Sequence, residues 1–145
     1  MSIDLKALGN AIATQDNRAT AHPLFCVFQK RSIVTDEDYE HDRIEYYDKD
    51  DSESIEEEHE PRIYELLKKL DKSGELPDRY RRVAVKEVDE FVTACFTEQS
   101  CKDYIEANKH NLEKPFIYAA SLYRNSEMIG LREFLLTKAE SNITP

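Results

Sequence analysis

The sequence predicts an α+β fold, with a mostly antiparallel or mixed sheet of about five strands and about four helices, and three observations carry that expectation. Segments with apolar residues at helical spacing alternate with runs rich in β-branched and aromatic residues. The strands fall mainly in pairs between helices, in the order α-ββ-α-ββ-α-β-α, which favours antiparallel pairing over a wound parallel sheet. At 145 residues the chain is long enough for one core and needs no second, so residues 1–145 are expected to form a single domain.

In chain order, Ser2 is expected to cap a first helix in which Leu5, Leu8 and Ile12 recur at i, i+3 and i+7 as one narrow apolar stripe. Residues 24–34 and 44–47 read as strands, close enough to pair as a hairpin across the acidic turn DEDYEHD. The stretch 48–54 reads as an acidic mobile loop inside the domain. Ser54 and Glu57 have capping-box spacing, which predicts a short acidic helix before Pro61. Pro61 suits the first position of a second helix, because the amide it lacks would be unpaired there. Ile63, Leu66, Leu67 and Leu70 then make a full apolar face, and Gly74 stops the helix.

Strands are expected at 80–88 and 91–96; in the first, Val83 and Val85 alternate with Arg82, Ala84 and Lys86 as a strand with one wet face would. Thr97 is expected to cap a third helix that places Cys101, Tyr104, Ile105 and Asn108 on one face and ends at the polar turn ANKHN. Residues 116–123 read as the last strand. Asn125 caps a fourth helix carrying Met128, Leu131 and Leu135, with Phe134 beside them, before a frayed tail SNITP.

Composition narrows the chemistry. Three glycines leave no way to write a dinucleotide-binding or phosphate-loop motif, so no nucleotide cofactor is expected. The N-terminus has no basic start followed by an apolar run, and no stretch approaches ~18 apolar residues. The expectation is a cytoplasmic protein that neither spans nor binds a membrane. Cys26, Cys95 and Cys101 each lie in an apolar-patterned segment and read as reduced core thiols.

Charge is the loudest feature. Residues 36–60 hold fourteen acidic side chains against Arg43 and Lys49, a local balance of −12 in a chain of net −10, so the rest of the molecule carries +2. Asp36, Glu37, Asp38, Asp50, Asp51, Glu53, Glu56, Glu57, Glu58 and Glu60 are the candidate partner-binding residues. Their concentrated field could engage the basic groove of a nucleic-acid enzyme; a solvated, solubilising loop is the competing reading. The basic counterpart is Arg79, Arg81 and Arg82 with Tyr80 among them, the candidate nucleic-acid contact in an alternative reading. Strand-surface arginines paired to nearby glutamates would explain the same residues.

No catalytic residue and no metal site emerge. His22, His41, His59 and His110 lack ligand partners at zinc spacing, and Cys95 and Cys101 stand too far apart for a knuckle. Asp36, Asp38 and Glu40 open like a calcium loop, but His41 occupies the sharp-turn glycine position and Tyr47 that of the bidentate glutamate. His110 near Cys101 in sequence establishes no nucleophile and base, and carboxylates crowded on a polar loop stay ionised. No cofactor is expected, and the chain does not read as an enzyme.

The run EFVTACFTEQSCKDYIEANKHNL, followed by PFIYAASLYRN and a helix ending in REFLL, resembles a group of small proteins encoded by tailed phages and bacterial prophages. ATQDNRATAHPLFCVFQKR extends the likeness over most of the chain except the acidic segment. The group commonly has glycine where this chain has Lys109; if that glycine serves a positive-φ turn, Lys109 or Asn108 must take the strained position. The resemblance implies a phage or prophage accessory protein and supplies no catalytic residues. Joined to the acidic segment, it gives the expected function: protein–protein binding that inhibits a host nucleic-acid-targeting defence system, of the anti-CRISPR or anti-restriction type. The expected partner is a host protein, such as a nucleic-acid-processing complex, with direct nucleic-acid contact disfavoured. The alternative is a small nucleic-acid-binding regulator using Arg79, Arg81 and Arg82.

Overall fold

The computed structural model describes residues 2–139, so the tail SNITP lies outside the described residues. The elements are α1 (Leu5–Thr14), β1 (Pro23–Thr35), β2 (Arg43–Asp48), β3 (Glu53–Ile55), α2 (Pro61–Lys72), β4 (Tyr80–Cys95), α3 (Glu98–Asn108), a 3-10 turn (Lys109–Asn111), β5 (Phe116–Ser121) and α4 (Ser126–Leu136). Five strands form one antiparallel sheet in the order β3-β2-β4-β1-β5, and four α-helices accompany it among the described residues. This is the expected α+β class. Among the described residues, no helix is long and apolar enough to cross a membrane.

Strand pairing departs from the expected hairpin. β1 and β2 are consecutive in sequence, but β4 lies between them. β2 pairs with β4 so that Ile44 faces Ala84 and Tyr46 faces Arg82, a register that sinks the Tyr46 ring into a core the DEDYEHD turn could not supply. The strands expected at 80–88 and 91–96 are one. Nothing between them breaks the chain: Asp89 is held by Lys30 Nζ at 2.6 Å and Glu90 by the Gln29 amide at 3.0 Å. Val83, Ala84 and Val85 are all buried, so the central part of β4 has no wet face.

The chain divides into two compact units, Arg31–Val88 and Met1–Lys30 with Asp89–Pro145. In the second of these, Phe25, Val27 and Cys101 form a core against which Ile117 and Ala119 of β5 and Tyr104 and Ile105 of α3 pack, the face expected for α3. Thr97 caps α3, accepting from the Ser100 amide at 3.2 Å. Asn125 likewise caps α4 through Met128. The cap of α1 is Asp4, which accepts from the Ala7 amide at 3.0 Å, and not Ser2. α1 meets α4 at Gly9, where an added Cβ would lie 2.8 Å from the Ala139 nitrogen and closer still to the Leu135 carbonyl oxygen. On α4 the buried side chains are Arg132 and Leu135; Leu131 and Phe134 are exposed, because a flanking row of the apolar stripe turns outward. Lys109 has φ −54° and Asn108 φ −117°, so the ANKHN turn closes as a right-handed 3-10 turn and puts no residue in the strained position.

In Arg31–Val88, the core is Tyr46, Ile55, Tyr64 and Leu67, with Ile44, Leu76 and Tyr80 against it. The expected loop 48–54 is instead the end of β2, a turn, and the start of β3, with Tyr46 opposite Ile55 and Asp48 opposite Glu53. The short acidic helix expected at Ser54 is absent for the same reason: drawing Ile55 into the core against Tyr46 and Tyr64 outweighs a local capping preference. α2 starts at Pro61, and Gly74 follows it at φ +75°. Its inward side chains are Tyr64 and Leu67, while Ile63 and Leu66, expected on the buried face, are exposed.

Candidate functional site

The acidic segment folds within Arg31–Val88, and strand geometry sorts its carboxylates into two sets. Asp48 closes β2 with its side chain buried. Its Oδ1 accepts from the Asp50 amide at 3.0 Å and the Asp51 amide at 3.4 Å, which forms the turn. Arg79, at the start of β4, donates Nε to Oδ1 and Nη2 to Oδ2, both at 2.9 Å. Hydrogen bonding from Arg79 holds the Asp48 carboxyl at about 2, below its ordinary 3.8, with the two turn amides adding to the effect against a cost from burial. The same guanidinium reaches Asp51 at 3.2 Å and Asp50 at 3.6 Å. One arginine thus gathers three of the segment's carboxylates.

Arg82 bridges two carboxylates on the α2 side, one of them from the segment. It donates Nε to Glu37 at 2.5 Å and Nη1 to Asp71 at 3.1 Å. Asp71 also accepts from the Tyr46 hydroxyl at 3.0 Å. Burial, then the hydrogen bond to Asp71, pushes the Tyr46 phenol up to about 12, so it stays a donor. Arg43 binds the buried Glu45 at 2.5 Å and Glu87 at 3.4 Å. Glu56 meets His59 at 3.0 Å, and Glu40 meets Lys86 at 3.7 Å. Asp36 uses its carboxylate to accept from the Asp38 amide.

The second set faces outward. Asp38, Glu53, Glu57, Glu58 and Glu60 make no ion pair among the described residues. Glu57 and Glu58, with Ile44 and Arg43, border a hollow of about 280 Å³. Glu60 lines another of about 410 Å³ with Pro61, Arg62 and the exposed Ile63. At the start of α2, Glu60 therefore shares its hollow with the outward Ile63 and with Arg62.

The arginines expected to form a nucleic-acid contact do not make one patch. Arg79 and Arg82 are engaged by carboxylates. Arg81 stands opposite Tyr47 and Arg82 opposite Tyr46, so strand alternation sends the two to opposite faces of the sheet. Arg81 lines a hollow with Val34, Tyr47 and Ser54 on the face away from α2.

The other candidate groups are also dispersed. His22 lies 3.9 Å from Glu133, the His41 ring contacts the Tyr39 carbonyl, and His110 contacts Asn111. Cys101 donates to the Phe25 carbonyl, with no contact to His110. Among the described residues, no group of three histidine, cysteine, aspartate or glutamate side chains could hold a metal ion.

Sequence reading missed the Asp48–Arg79 clamp and the outward turn of Ile63 and Leu66. Neither had a signal: in RIEYYD the charged Asp48 takes the same alternate position as Ile44 and Tyr46 and so breaks the alternation, and every apolar residue on α2 fits a helical stripe. No family model, no curated protein and no solved structure matches the chain.

Proposed function

We propose that the chain works by binding, not catalysis, as a phage or prophage accessory protein in the cytoplasm of a bacterial host. There it offers an acidic surface to the basic groove of a nucleic-acid-targeting defence complex, of the CRISPR or restriction type, and inhibits it. One observation carries this reading. Arg79, Arg82 and Arg43 neutralise carboxylates that build the fold, while Glu53, Glu57, Glu58 and Glu60 are exposed with no ion pair among the described residues, and Glu60 shares a hollow with the exposed Ile63. A merely solubilising surface has no need of Ile63 and Leu66 at its edge. A protein interface does: apolar contact supplies affinity, and unscreened charge steers the encounter. The alternative, nucleic-acid binding through Arg79, Arg81 and Arg82, has less support, because two of the three are already satisfied and the third lies on the other face.

The test starts from a pull-down in bacterial lysate that yields the partner. Glu56, Glu57, Glu58 and Glu60 are then changed together to glutamine, which removes four charges at similar size and helix propensity. The association rate at low salt should fall by about tenfold or more and its salt dependence should flatten. Equal rates for variant and parent at low and at physiological salt would end the proposal.

A further inference from the structure

The sheet ends on β3 at one edge and on β5 at the other, and the two ends differ. β3 is three residues long and carries Glu53, the short, charged form in which an edge strand resists further pairing. β5 has six residues, FIYAAS, with no charge, proline or glycine among them, and none of the six is buried. The Leu122 amide donates to the His22 carbonyl at 2.9 Å, and the same register pairs Leu24 with Ala120, Cys26 with Tyr118 and Phe28 with Phe116. Alternate residues of an antiparallel strand direct their amide and carbonyl the same way. Ile117, Ala119 and Ser121 therefore aim theirs away from β1, at the open edge. Ile117 and Ala119 pack their side chains on the α3 side with Phe25 and Val27, and alternation puts Phe28, Phe116 and Tyr118 on the opposite face. There the Phe28 ring lies 5.7 Å from that of Phe116, 5.8 Å from Phe91 and 6.2 Å from Tyr118. Phe91 and Tyr118 are each 57% exposed, so this aromatic face runs uncovered up to the edge.

We propose that β5 is a self-association edge, through which two copies of the chain pair their β5 strands antiparallel about a two-fold axis at Ala119. The occupant is a second copy because FIYAAS supplies its own complement in this register. Ala119 faces the second copy's Ala119, and Ile117 faces the second copy's Ser121; each facing pair exchanges two N–H···O bonds from the groups that β1 leaves unused. Tyr118 stands opposite the second copy's Ala120, a large side chain beside a small one. The two Tyr118 rings become diagonal neighbours on one face, within reach of each other. No charged residue lies in either strand to oppose the pairing. Charge elsewhere permits the approach. Arg31–Val88 holds −8 of the chain's −10, which leaves the unit carrying β5 with nine basic and eleven acidic residues, a balance of −2. Repulsion between two copies meeting at this edge is correspondingly small. The two-fold uses up both β5 edges, so the assembly closes at two chains.

Sedimentation equilibrium of the full-length chain over a dilution series should show one reversible step between 16.9 kDa and twice that mass. The amides of Ile117, Ala119 and Ser121 should exchange with solvent more slowly as the dimer fills. Tyr118→Lys alters an exposed side chain and sets two like charges diagonally across the axis. It should raise the dimer dissociation constant about tenfold or more and leave the far-ultraviolet circular dichroism unchanged. Ala119→Pro removes the outward amide at the axis without touching a bond to β1, and it should abolish the dimer. Four outcomes would overturn the proposal: the mass of one chain at every concentration, association beyond two copies, a dissociation constant unaltered in Tyr118→Lys, or the same exchange rates at Ile117, Ala119 and Ser121 in monomer and dimer. The first would leave the edge to a strand from another protein.

Discussion

Asp48 ties together a turn, a strand end and Arg79, and its titration follows from those contacts. Its folded carboxyl lies at about 2 against an ordinary 3.8, chiefly through the two hydrogen bonds from Arg79. A carboxyl depressed in the folded state contributes stability that is complete above its unfolded value and lost as pH falls through the folded one. The clamp should therefore be fully effective above about pH 4 and spent by about pH 2. Asp48→Asn should lower the thermal midpoint at neutral pH and flatten the acid limb of stability between those values. If parent and variant lose stability in parallel over that range, Asp48 does not titrate differently on folding. The sequence marked Asp48 only as one acid among fourteen. Arg79, its partner, stands 31 residues away and was grouped with a different surface.

Among the elements, α2 shows how far periodicity reaches. Its start at Pro61 and its stop at Gly74 were legible, since both rest on backbone constraints that neighbours do not alter. Which part of a broad apolar stripe turns inward was not, because Ile63, Leu66, Leu67 and Leu70 all satisfy one helical spacing. The inward direction is set by Tyr64, whose ring lies 5.5 Å from that of Tyr46 and whose hydroxyl donates to the Ile44 carbonyl at 3.1 Å. Two neighbouring leucines should then behave differently. Leu67→Ala, at a buried site, should cost about 2–5 kcal/mol in denaturant unfolding. Leu66→Ala, at an exposed one, should stay within about 0.5 kcal/mol of the parent. Equal losses at the two positions would place both on the core and remove the apolar part of the proposed interface.

Over the whole molecule, charge is partitioned as sharply as structure. Arg31–Val88 carries nineteen acidic and eleven basic residues, −8 of the total −10. Such a density attracts cations, but diffuse attraction is not ligation. Calcium needs about six to eight oxygens converging at one point, whereas these carboxylates are spread over Arg79, Arg82, Arg43, Lys86, His59, nearby backbone amides and solvent. Treatment with a chelator, followed by melting in metal-free buffer, should leave the midpoint unchanged. A lowered midpoint would reveal a cation bound among the carboxylates of 36–60.

The sequence by itself determined the α+β class, the positions of α1 to α4, the capping roles of Thr97 and Asn125, and the charge asymmetry, because each depends on side-chain spacing or on groups within one turn of the backbone. Tertiary structure alone decided which strands pair, that 80–95 is one strand, that 53–55 is a strand and no helix, and which carboxylates remain without a cation. The physical reason is the same in each case. A strand's partner and a carboxylate's counter-ion are chosen by contacts between residues far apart in the chain, such as Tyr46 with Ile55 and Tyr64, or Asp48 with Arg79, and such contacts leave no period in the sequence to read.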